Sequence, residues 1–345
     1  MGIYSDGGLD RSKPTLVTGG GGFIGGHLVA RLREDGFEDI RSVDIKPEGE
    51  WYQRFPDVDN QRLDLARLED CQRAAAGMGQ VFHLAADMGG MGFIEHNKAL
   101  CMLSVLPSTH MLLAARDAGV DRYFYSSSAC VYAQDKQTDA DLAALREEDA
   151  YPAMAEDGYG WEKLFSERMA HHFWEDFGLE TRCARYHNVY GPIGTYDGGR
   201  EKAPAAICRK VVAAKLSGSD EIEIWGDGEQ TRSFMYIDDC VEGTLRLSAS
   251  DCHIPLNVGS SEMVTINQMV SICEAIAGVE LRRQYVLDAP LGVRGRNSDN
   301  TRIRSELGWE PSILLTDGLE RTMAWIYDQM TAGGAAVQRA AAVPS

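Results

Sequence analysis

Short apolar and β-branched runs alternate with longer amphipathic stretches along the chain as far as Arg185. The runs TLVT, RSVDI, QVFHLAA, RYFYSSS and ETRCARY predict β-strands. Helical patterns such as FIGGHLVARLRE and LPSTHMLLAARDAG lie between some of them. Because strands that alternate with helices form parallel sheets covered on both faces, the pattern predicts an α/β fold with a Rossmann-type doubly wound parallel sheet.

The rhythm of the pattern changes after Tyr186. Loops rich in glycine and proline (NVYGPIGTYDGGREKAP) come first, followed by a helical pattern over 205–216 and the alternating run EIEIW. This shift in composition predicts a second, smaller α/β domain that binds the substrate.

Composition and charge narrow the classes of function. The 345 residues are 44% hydrophobic and 25% charged, which is ordinary for a globular protein. Since 34 basic residues face 52 acidic ones, the net charge of −18 repels nucleic acids and anionic membranes. Eight cysteines without a CxxC pair favour buried thiols in a reducing compartment over a metal site, and no apolar run approaches the roughly 20 residues of a membrane helix. We expect a soluble, cytoplasmic protein with no metal, nucleic acid or membrane partner.

Charge is unevenly distributed along the chain. Residues 133–157 carry eight acidic side chains against two basic ones, and residues 281–304 carry six arginines against two aspartates. Each run is typical of a solvated face. The alternative for the second run is that some of its arginines bind a phosphate, because a guanidinium group matches phosphate oxygens with two parallel hydrogen bonds.

A glycine-rich turn follows the first predicted strand directly and opens a helical pattern. Glycines there let the backbone approach a pyrophosphate, and the helix N-terminus supplies N–H groups. Two registers, starting at Gly19 or Gly20, fit the motif, and a merely flexible turn is the alternative. Asp44 lies 19 residues past Gly25, where its carboxylate can hold the ribose diol of NAD and repel a 2′-phosphate. We expect NAD as the cofactor, with Lys46 leaving NADP open. The candidate cofactor-binding residues of the turn are Gly19, Gly22, Phe23, Ile24 and Gly25.

Tyr159 and Lys163 lie four residues apart in YGWEK, so that a helix presents both on one face. A phenol is a poor base near pH 7, but an adjacent ammonium and the nicotinamide cation favour the phenolate; lowering its pKa by ~3 units takes ~4 kcal/mol. The hydroxyl run Ser126–Ser128 ends a predicted strand, where a parallel sheet forms its crevice. The alternative is a surface tyrosine beside a solvated lysine.

With these motifs the chain resembles the extended short-chain dehydrogenase/reductase family, which acts on nucleotide sugars. The resemblance covers residues 14–330 and follows the order of the family's motifs: TGGGGFIGGHL, Asp44, Asp64 in LDLA, LAA at 84–86 with Ala85, SSSACVY, YGWEK, RYHNVYGP and GDGEQTRSFMYIDD. It implies that Asp64 and Ala85 join the NAD site. It also implies that Ser128 binds the sugar hydroxyl or the tyrosine, that Tyr159 is the base of hydride transfer, and that Lys163 tunes Tyr159 and holds the nicotinamide ribose. Relatives are commonly homodimers, which we expect here by analogy.

The resemblance also sets the expected domain boundaries. We expect an N-terminal extension over 1–13 and an NAD-binding Rossmann domain over 14–187, to which 233–258 return. The nucleotide-sugar-binding domain then comprises 188–232 and 259–330, and a mobile tail follows over 331–345.

The residues after Ser128 separate the reactions of this family. Dehydratases have Asp-Glu there and simple 4-epimerases usually have Ser or Thr two places on, whereas this chain has Ala129 and Cys130. The segments AADMGGMGFI, SSACVY, GTYDGGREKAPAA and GVRGRNSDN resemble the branch of the family that inverts C3 and C5 of GDP-mannose. That resemblance implies that Cys130 and Lys202 are an acid/base pair. The alternatives are a buried thiol and a solvated loop lysine.

The chemistry of epimerisation explains why such a pair is needed. C3 and C5 of a hexose become acidic only after C4 is oxidised to a ketone, and inversion takes a proton from one face and returns one to the other. Our hypothesis is an NAD-dependent isomerase that converts GDP-α-D-mannose to GDP-L-galactose, and to GDP-L-gulose after inversion at C5 alone. The resemblance places these residues around the substrate: Gly89, Ser128, Ala129, Cys130, Tyr159, Asn188, Glu201, Lys202, Ala203, Lys210, Gln230, Thr231, Arg232 and Arg296.

Three other functions stay open at this point. A C5-only epimerase that makes GDP-L-gulose shares every motif. A 4-epimerase or dehydratase of another nucleotide sugar shares the cofactor site but has no need of Cys130 with Lys202. A dinucleotide sensor without enzymatic activity has no need of Tyr159 and Lys163.

Overall fold

A computed structural model describes residues 3–4, 8–141, 143–289 and 292–341. Its strands are β1 (Thr15–Thr18), β2 (Ile40–Asp44), β3 (Asp59–Arg62), β4 (Gln80–His83), β5 (Arg122–Ser128), β6 (Glu180–Tyr186), β7 (Val189–Tyr190), β8 (Glu221–Trp225), β9 (Thr231–Ser233), β10 (Met235–Tyr236), β11 (Leu256–Val258), β12 (Met263–Thr265), β13 (Arg282–Val286) and β14 (Gly295–Arg296). Its α-helices are α1 (Phe23–Glu34), α2 (Leu68–Ala75), α3 (Met91–His96), α4 (Lys98–Met102), α5 (Val105–Asp117), α6 (Tyr159–Phe177), α7 (Ala203–Ser217), α8 (Ile237–Ala249), α9 (Ile266–Ala277), α10 (Thr301–Leu307) and α11 (Leu315–Ala341).

Seven parallel strands form the central sheet in the order β11-β6-β5-β4-β1-β2-β3. The strand order reverses between β1 and β4, which leaves a crevice at their carboxyl ends. Every residue of β1 and β4 is buried, because helices cover both faces of the sheet. The predicted α/β fold with a Rossmann-type doubly wound sheet is confirmed.

Two layers of helices cover the sheet. On one face α1 packs on α8, and on the other face α5 packs between α2 and α6. Leu28 and Leu32 of α1 are fully buried in one apolar cluster, and Met111 and Leu112 of α5 are buried in another. The amphipathic stretches of the sequence therefore form the two outer layers.

The second domain follows β6. Helix α7 packs against α9 and α11, while β9 lies between β12 and β14 in a three-stranded sheet and β8 pairs with β13. The chain also returns to the first domain, because α8 packs on β6 and β11 extends the central sheet beside β6. The carboxyl ends of the central strands thus face the elements of the second domain.

Two segments differ from what their composition suggests. Residues 98–117 are helical and apolar enough, by length and mean hydropathy, to cross a membrane, although the sequence shows no continuous apolar run of that length. Their second half, α5, packs on α2 and α6 as a covering helix of the sheet. The segment predicted as a tail is helical as far as Ala341, and residues 342–345 lie outside the described residues.

Candidate active site

The glycine turn between β1 and α1 has the geometry of a dinucleotide cradle. Gly19 has a φ of +72°, and a Cβ there would lie 3.0 Å from the amide nitrogen of Ala85. A Cβ on Gly25 would lie 2.2 Å from the carbonyl oxygen of Gly19, so α1 begins directly against the turn. The positive φ of Gly19 favours the register Gly19, Gly22, Gly25, while a Cβ on Gly20 would also lie 1.9 Å from the Ser42 hydroxyl oxygen. Because no side chain caps Gly22 at the start of α1, the first N–H groups of that helix face the crevice with their positive dipole end.

Three predicted cofactor residues lie at or just after the carboxyl ends of central strands. Asp44 ends β2, is 8% exposed, and accepts a hydrogen bond from the Lys46 amide (3.0 Å). Asp64 accepts one from the Ala66 amide (3.1 Å), and the Ala85 amide donates to the Thr18 hydroxyl (3.2 Å). A carboxylate at the end of β2 fits the ribose hydroxyls of NAD, while the turn leaves room for its pyrophosphate. The residues present therefore fit the cofactor.

Ser128 and Tyr159 are brought together by the end of β5 and the start of α6. A Cβ on Gly160 would lie 2.2 Å from the carbonyl oxygen of Cys130, so the first turn of α6 packs directly on the chain that follows β5. Burial raises the pKa of the Tyr159 phenol well above its ordinary value, with smaller contributions from Cys130 and Glu162. A hydrogen bond with Ser128 acts in the opposite direction. The phenol thus holds its proton until further positive charge enters the site.

Lys163 supplies positive charge beside Tyr159. Its side chain is buried, its Nζ donates to the carbonyl oxygen of Ser126 (3.0 Å), and the same atom lies 5.6 Å from the centre of the Tyr159 ring. Helical spacing therefore does place the two side chains on one face, as predicted.

Cys130 lies in a short 3₁₀ turn, Ala129–Val131, directly after β5. It is 7% exposed, and its backbone amide donates to the Ser128 hydroxyl (3.2 Å). Its Sγ lies 3.7 Å from Nη1 of Arg296. The sulfur is therefore buried, but it faces a cation as well as apolar atoms, which distinguishes it from a core thiol.

Lys202 precedes the first residue of α7 and is half-buried. Burial lowers the pKa of its ammonium, and the Cys130 thiol lies close enough to oppose that shift. Burial also lowers the pKa of Arg232 to about 10, with Cys130 again opposing and Arg294 adding to the shift. Cys130 thus interacts electrostatically with both Lys202 and Arg232, although the three residues come from separate parts of the chain.

The remaining predicted substrate residues have the following contacts. Arg232 and Arg296 are direct partners in the β9–β14 pairing, and Asn188 donates to the Ser233 carbonyl (2.9 Å) beside them. Lys210 lies two turns along α7 and pairs with Glu223 (3.0 Å). The others are positioned as follows: Gly89 packs on Phe93, Glu201 pairs with Arg209, Ala203 starts α7, Gln230 donates to the Trp225 carbonyl, Thr231 donates to the Ala140 carbonyl, and Ala129 is buried.

Sequence reasoning missed several residues of the site. Glu156 and Gln137 contact the Arg296 guanidinium, with Gln137 accepting from Nε (2.7 Å). Both belong to the acidic stretch that is typical of a solvated face, and no motif or spacing singles them out. Most arginines of 281–304 do pair at the surface, so the solvated interpretation holds for them, whereas Arg296 is buried.

Sequence reasoning also missed the contacts that Arg200 makes with residues 87–93. Arg200 pairs with Asp87 (2.8 Å), stacks over the Phe93 ring (3.8 Å to its centre), and accepts from the Gly90 amide through its carbonyl (3.0 Å). A Cβ on Gly90 would lie 2.4 Å from the Glu201 carbonyl, which explains the need for glycine there. The glycines of ADMGGMGF were the available signal.

Comparison with known proteins agrees with this geometry. Residues 15–259 match the model of the NAD dependent epimerase/dehydratase family. The chain is 47% identical over 315 residues to GDP-mannose 3,5-epimerase 1 of Oryza sativa subsp. japonica, covering 91% of this chain and 82% of the rice protein. It is 46% identical to GDP-mannose 3,5-epimerase of Arabidopsis thaliana over the same share of each chain.

Solved structures agree as well. UDP-glucose 4-epimerase of Thermotoga maritima, crystallised with UDP-glucose, superposes with a TM-score of 0.83 at 26% identity, covering 92% of this chain and 99% of that one. MoeE5 in complex with UDP-glucose and NAD superposes with a TM-score of 0.77 at 28% identity, with the same coverage. These similarities agree with the glycine turn after β1 and with the serine, tyrosine and lysine at the crevice. The chain belongs to the NAD-dependent epimerase/dehydratase family.

Proposed function

We propose that this enzyme inverts C3 and C5 of the mannose ring in GDP-α-D-mannose, which gives GDP-L-galactose, and GDP-L-gulose when only C5 inverts. One observation carries the proposal: the Cys130 thiol packs in one buried cluster with Tyr159 and lies close enough to the Lys202 ammonium to interact with its charge. A simple 4-epimerase moves hydride only at C4 and needs no second acid/base pair. The identity of 47% to the rice GDP-mannose 3,5-epimerase supports the same reaction.

Tyr159 and its neighbours act on the C4 hydroxyl. NAD⁺ held by the glycine turn and Asp44 would supply a hydride acceptor for C4 and, once reduced, a hydride donor, so that the net reaction is an isomerisation. Tyr159 accepts the hydroxyl proton as hydride leaves and gives it back at the end. Its phenol is buried and its pKa is raised. It therefore becomes a base only with help from the Lys163 ammonium and the nicotinamide cation, since both favour the phenolate.

Cys130 and Lys202 act on the carbons next to C4. Once C4 is a ketone, one of the two groups removes the proton from C5 and the other delivers a proton to the opposite face. Because Lys202 is desolvated, its ammonium releases a proton more readily than a solvated lysine does. The same pair then serves C3, and both groups return to their starting protonation states.

Arg232 and Arg296 supply buried positive charge for the GDP diphosphate. They are neighbours across β9 and β14 and are 9% and 4% exposed. Since the protein as a whole carries a net charge of −18, binding of an anionic substrate needs such local cations. Two guanidinium groups side by side can bind a diphosphate through paired hydrogen bonds.

Deuterium exchange tests the proposal. Purified protein is incubated with GDP-mannose in D₂O, and the sugar is followed by NMR and mass spectrometry. We expect deuterium at both C3 and C5. Label at C5 alone would select the variant reaction that makes GDP-L-gulose, and no label at either carbon would refute the proposal.

UDP-glucose serves as the matched substrate control, because it is the ligand of the Thermotoga maritima 4-epimerase structure. We expect no conversion of UDP-glucose. Inversion at C4 without exchange at C3 or C5 would instead assign the enzyme as a 4-epimerase.

We also propose a homodimer formed through helices α4, α5 and α6. Helices α4 and α5 both pack on α6, and the three helices with the turn between α4 and α5 carry large exposed apolar side chains: Leu100, Met102, Leu103, Leu106, Trp161 and Phe165. A second copy of the chain is the occupant that would bury this face symmetrically. Light scattering should give the dimer mass for the native protein and the monomer mass for Phe165→Glu, whereas Leu314→Glu, an exposed residue of the second domain, should stay dimeric. A monomeric native protein would contradict the proposal.

A cytoplasmic location without a membrane or nucleic-acid partner completes the proposal. All eight cysteines are buried and free, which suits a reducing compartment. The net charge of −18 supports the absence of polyanionic partners. Cell fractionation would test the location.

A further inference from the structure

The buried carboxylate of Glu162 takes no part in the proposed proton and hydride transfers, yet it lies next to Lys163, which the proposed reaction needs. Glu162 is 2% exposed and lies on the same face of α6 as Tyr159 and Lys163. Its Oε2 atom lies 3.7 Å from Nζ of Lys163. Among the described residues, that oxygen has no hydrogen-bond partner.

The other oxygen of Glu162 is held by three hydroxyl donors from three elements. Oε1 accepts from Ser108 of α5 (3.1 Å), Tyr125 of β5 (3.2 Å) and Ser166 of α6 (2.9 Å). Three hydroxyl donors thus converge on one carboxylate oxygen, which can accept more than one hydrogen bond. The arrangement fixes the carboxylate and points its second oxygen at Lys163.

A buried ammonium needs such a partner. Lys163 is 1% exposed, and its Nζ donates a hydrogen bond to the Ser126 carbonyl oxygen at 3.0 Å. A cation removed from water is unfavourable unless a negative charge faces it. Lys163 must nevertheless be charged to favour the Tyr159 phenolate.

Other ionisable groups face this pair from each neighbouring element. His83 of β4 faces Lys163, and burial together with Lys163 lowers its pKa to about 3, so that it is neutral. Tyr123 and Tyr125 of β5 face Glu162, and burial raises the pKa of both phenols, so they are neutral too. Cys101 of α4 also faces Glu162, and burial raises the pKa of its thiol. Glu162 is thus the negative charge available to Lys163.

We propose that Glu162 is a positioning residue of the hydride-transfer step: it is the counter-ion that keeps Lys163 charged in a buried site, and it thereby sets the pH range in which Tyr159 works. The inference rests on the proposed function for the step that Tyr159 performs. Glu162 acts through its neighbour Lys163.

The proposal predicts a specific effect of removing the charge. Glu162 raises the pKa of Tyr159, so Glu162→Gln moves the acidic limb of the pH profile to lower pH. The alkaline limb moves in the same direction, because Lys163 loses its proton more easily without a counter-ion. Since Lys163 is the direct neighbour, we expect the alkaline limb to move by about 1 to 3 pH units, and more than the acidic limb.

The main measurement is the rate at which reduced nicotinamide forms on the NAD-loaded enzyme after GDP-mannose is added, followed by absorbance between pH 5 and 10. We expect both limbs to move down for Glu162→Gln, and Glu162→Asp to restore their positions because it keeps the charge. Ser166→Ala is the matched control, since it removes one donor and leaves the carboxylate; its limbs should stay in place. A folded Gln variant with a lower rate but unmoved limbs would overturn the proposal.

A second measurement needs no substrate. With ¹³C-labelled lysine, the signal of Lys163, assigned by its loss in Lys163→Met, is titrated in native protein and in Glu162→Gln. The midpoint pH of the Lys163 titration should be lower in Glu162→Gln than in native protein. An equal midpoint in both would overturn the proposal. Should the Gln variant not fold, a neutral Lys163 at pH 7 in native protein would overturn it, and a charged one would support it. Failure of GDP-mannose to reduce the nicotinamide in native enzyme would count against the proposed substrate alone.

Discussion

Nη1 of Arg296 lies 3.7 Å from Sγ of Cys130, although 166 residues separate them in the chain. Glu156 holds the other end of the guanidinium, and the Glu156 amide donates to the Cys130 carbonyl (3.0 Å). Arg296 therefore lies between a carboxylate and a thiol. A cation in this position can stabilise negative charge that develops on the sulfur, in addition to binding the diphosphate.

Arg296→Gln should lower the rate of deuterium exchange at C5 by at least ~100-fold, because it removes charge from both the sulfur and the diphosphate. It also leaves Glu156 buried without a partner, which costs about 3 to 5 kcal/mol of folding free energy. The double variant Arg296→Gln/Glu156→Gln should recover most of the melting temperature but none of the exchange. Recovery of both would show that Arg296 acts only in folding.

Cys130→Ala should abolish exchange at C5 while C4 oxidation continues, because Tyr159 and Lys163 are untouched. Reduced nicotinamide should then accumulate on the enzyme in the presence of GDP-mannose, as measured by absorbance. Cys130→Ser is the matched control for volume, and it should retain at most a small fraction of the exchange, since a hydroxyl is a far weaker acid than a thiol. If the alanine variant exchanges deuterium at C5 at the native rate, Cys130 is only a buried core thiol.

The Lys202 ammonium should produce a decline of epimerisation at alkaline pH. Burial lowers its pKa from the ordinary value of 10.5, and an acid is lost as the pH rises through its pKa, so the decline should begin below pH 10.5. Lys202→Arg keeps a proton at all these pH values, and it should retain NAD binding but lose proton delivery. An alkaline decline of residual exchange at the same pH in that variant would assign the decline to another group.

The pair formed by Arg185 and Glu167 should support the strands that carry the site. Nη2 of Arg185 lies 2.8 Å from Oε2 of Glu167, both side chains are buried, and Ser127 also donates to Glu167. Glu167→Gln leaves the arginine charge uncompensated and should cost about 3 to 5 kcal/mol in unfolding free energy, measured with denaturant. Arg168→Gln, at an exposed neighbouring position, should change stability by less than about 0.5 kcal/mol. Equal effects of the two changes would exclude a structural role for the buried pair.

Local patterns sufficed for most of the fold and for the cofactor side of the site. The strand residues Thr15–Thr18 and the turn from Gly19 to Gly25 are adjacent in sequence, so a motif describes them completely. Tyr159 and Lys163 are likewise one helical turn apart. Within the turn, however, only the positive φ of Gly19 favours one of the two possible registers.

The surroundings of Cys130 could not be predicted in this way. Arg296 lies beside the sulfur, and Glu156 and Gln137 hold its guanidinium. These contacts depend on the pairing of β9 with β14 and on the packing of α6 on the turn after β5, which link distant parts of the chain. Similarly, Glu162 is a single polar residue inside a familiar motif, and its burial among Ser108, Tyr125 and Ser166 depends on how α5 packs against β5 and α6.

The sequence by itself determined the doubly wound sheet, the dinucleotide turn and the placement of Tyr159 and Lys163 on one helical face, because each depends on spacing within one or two elements. The tertiary structure decided which charges face one another: Arg296 with Cys130 and Glu156, and Lys163 with Glu162. The reason is physical. Electrostatic interaction depends on distance and burial in three dimensions, and neither is encoded in the spacing of residues along the chain.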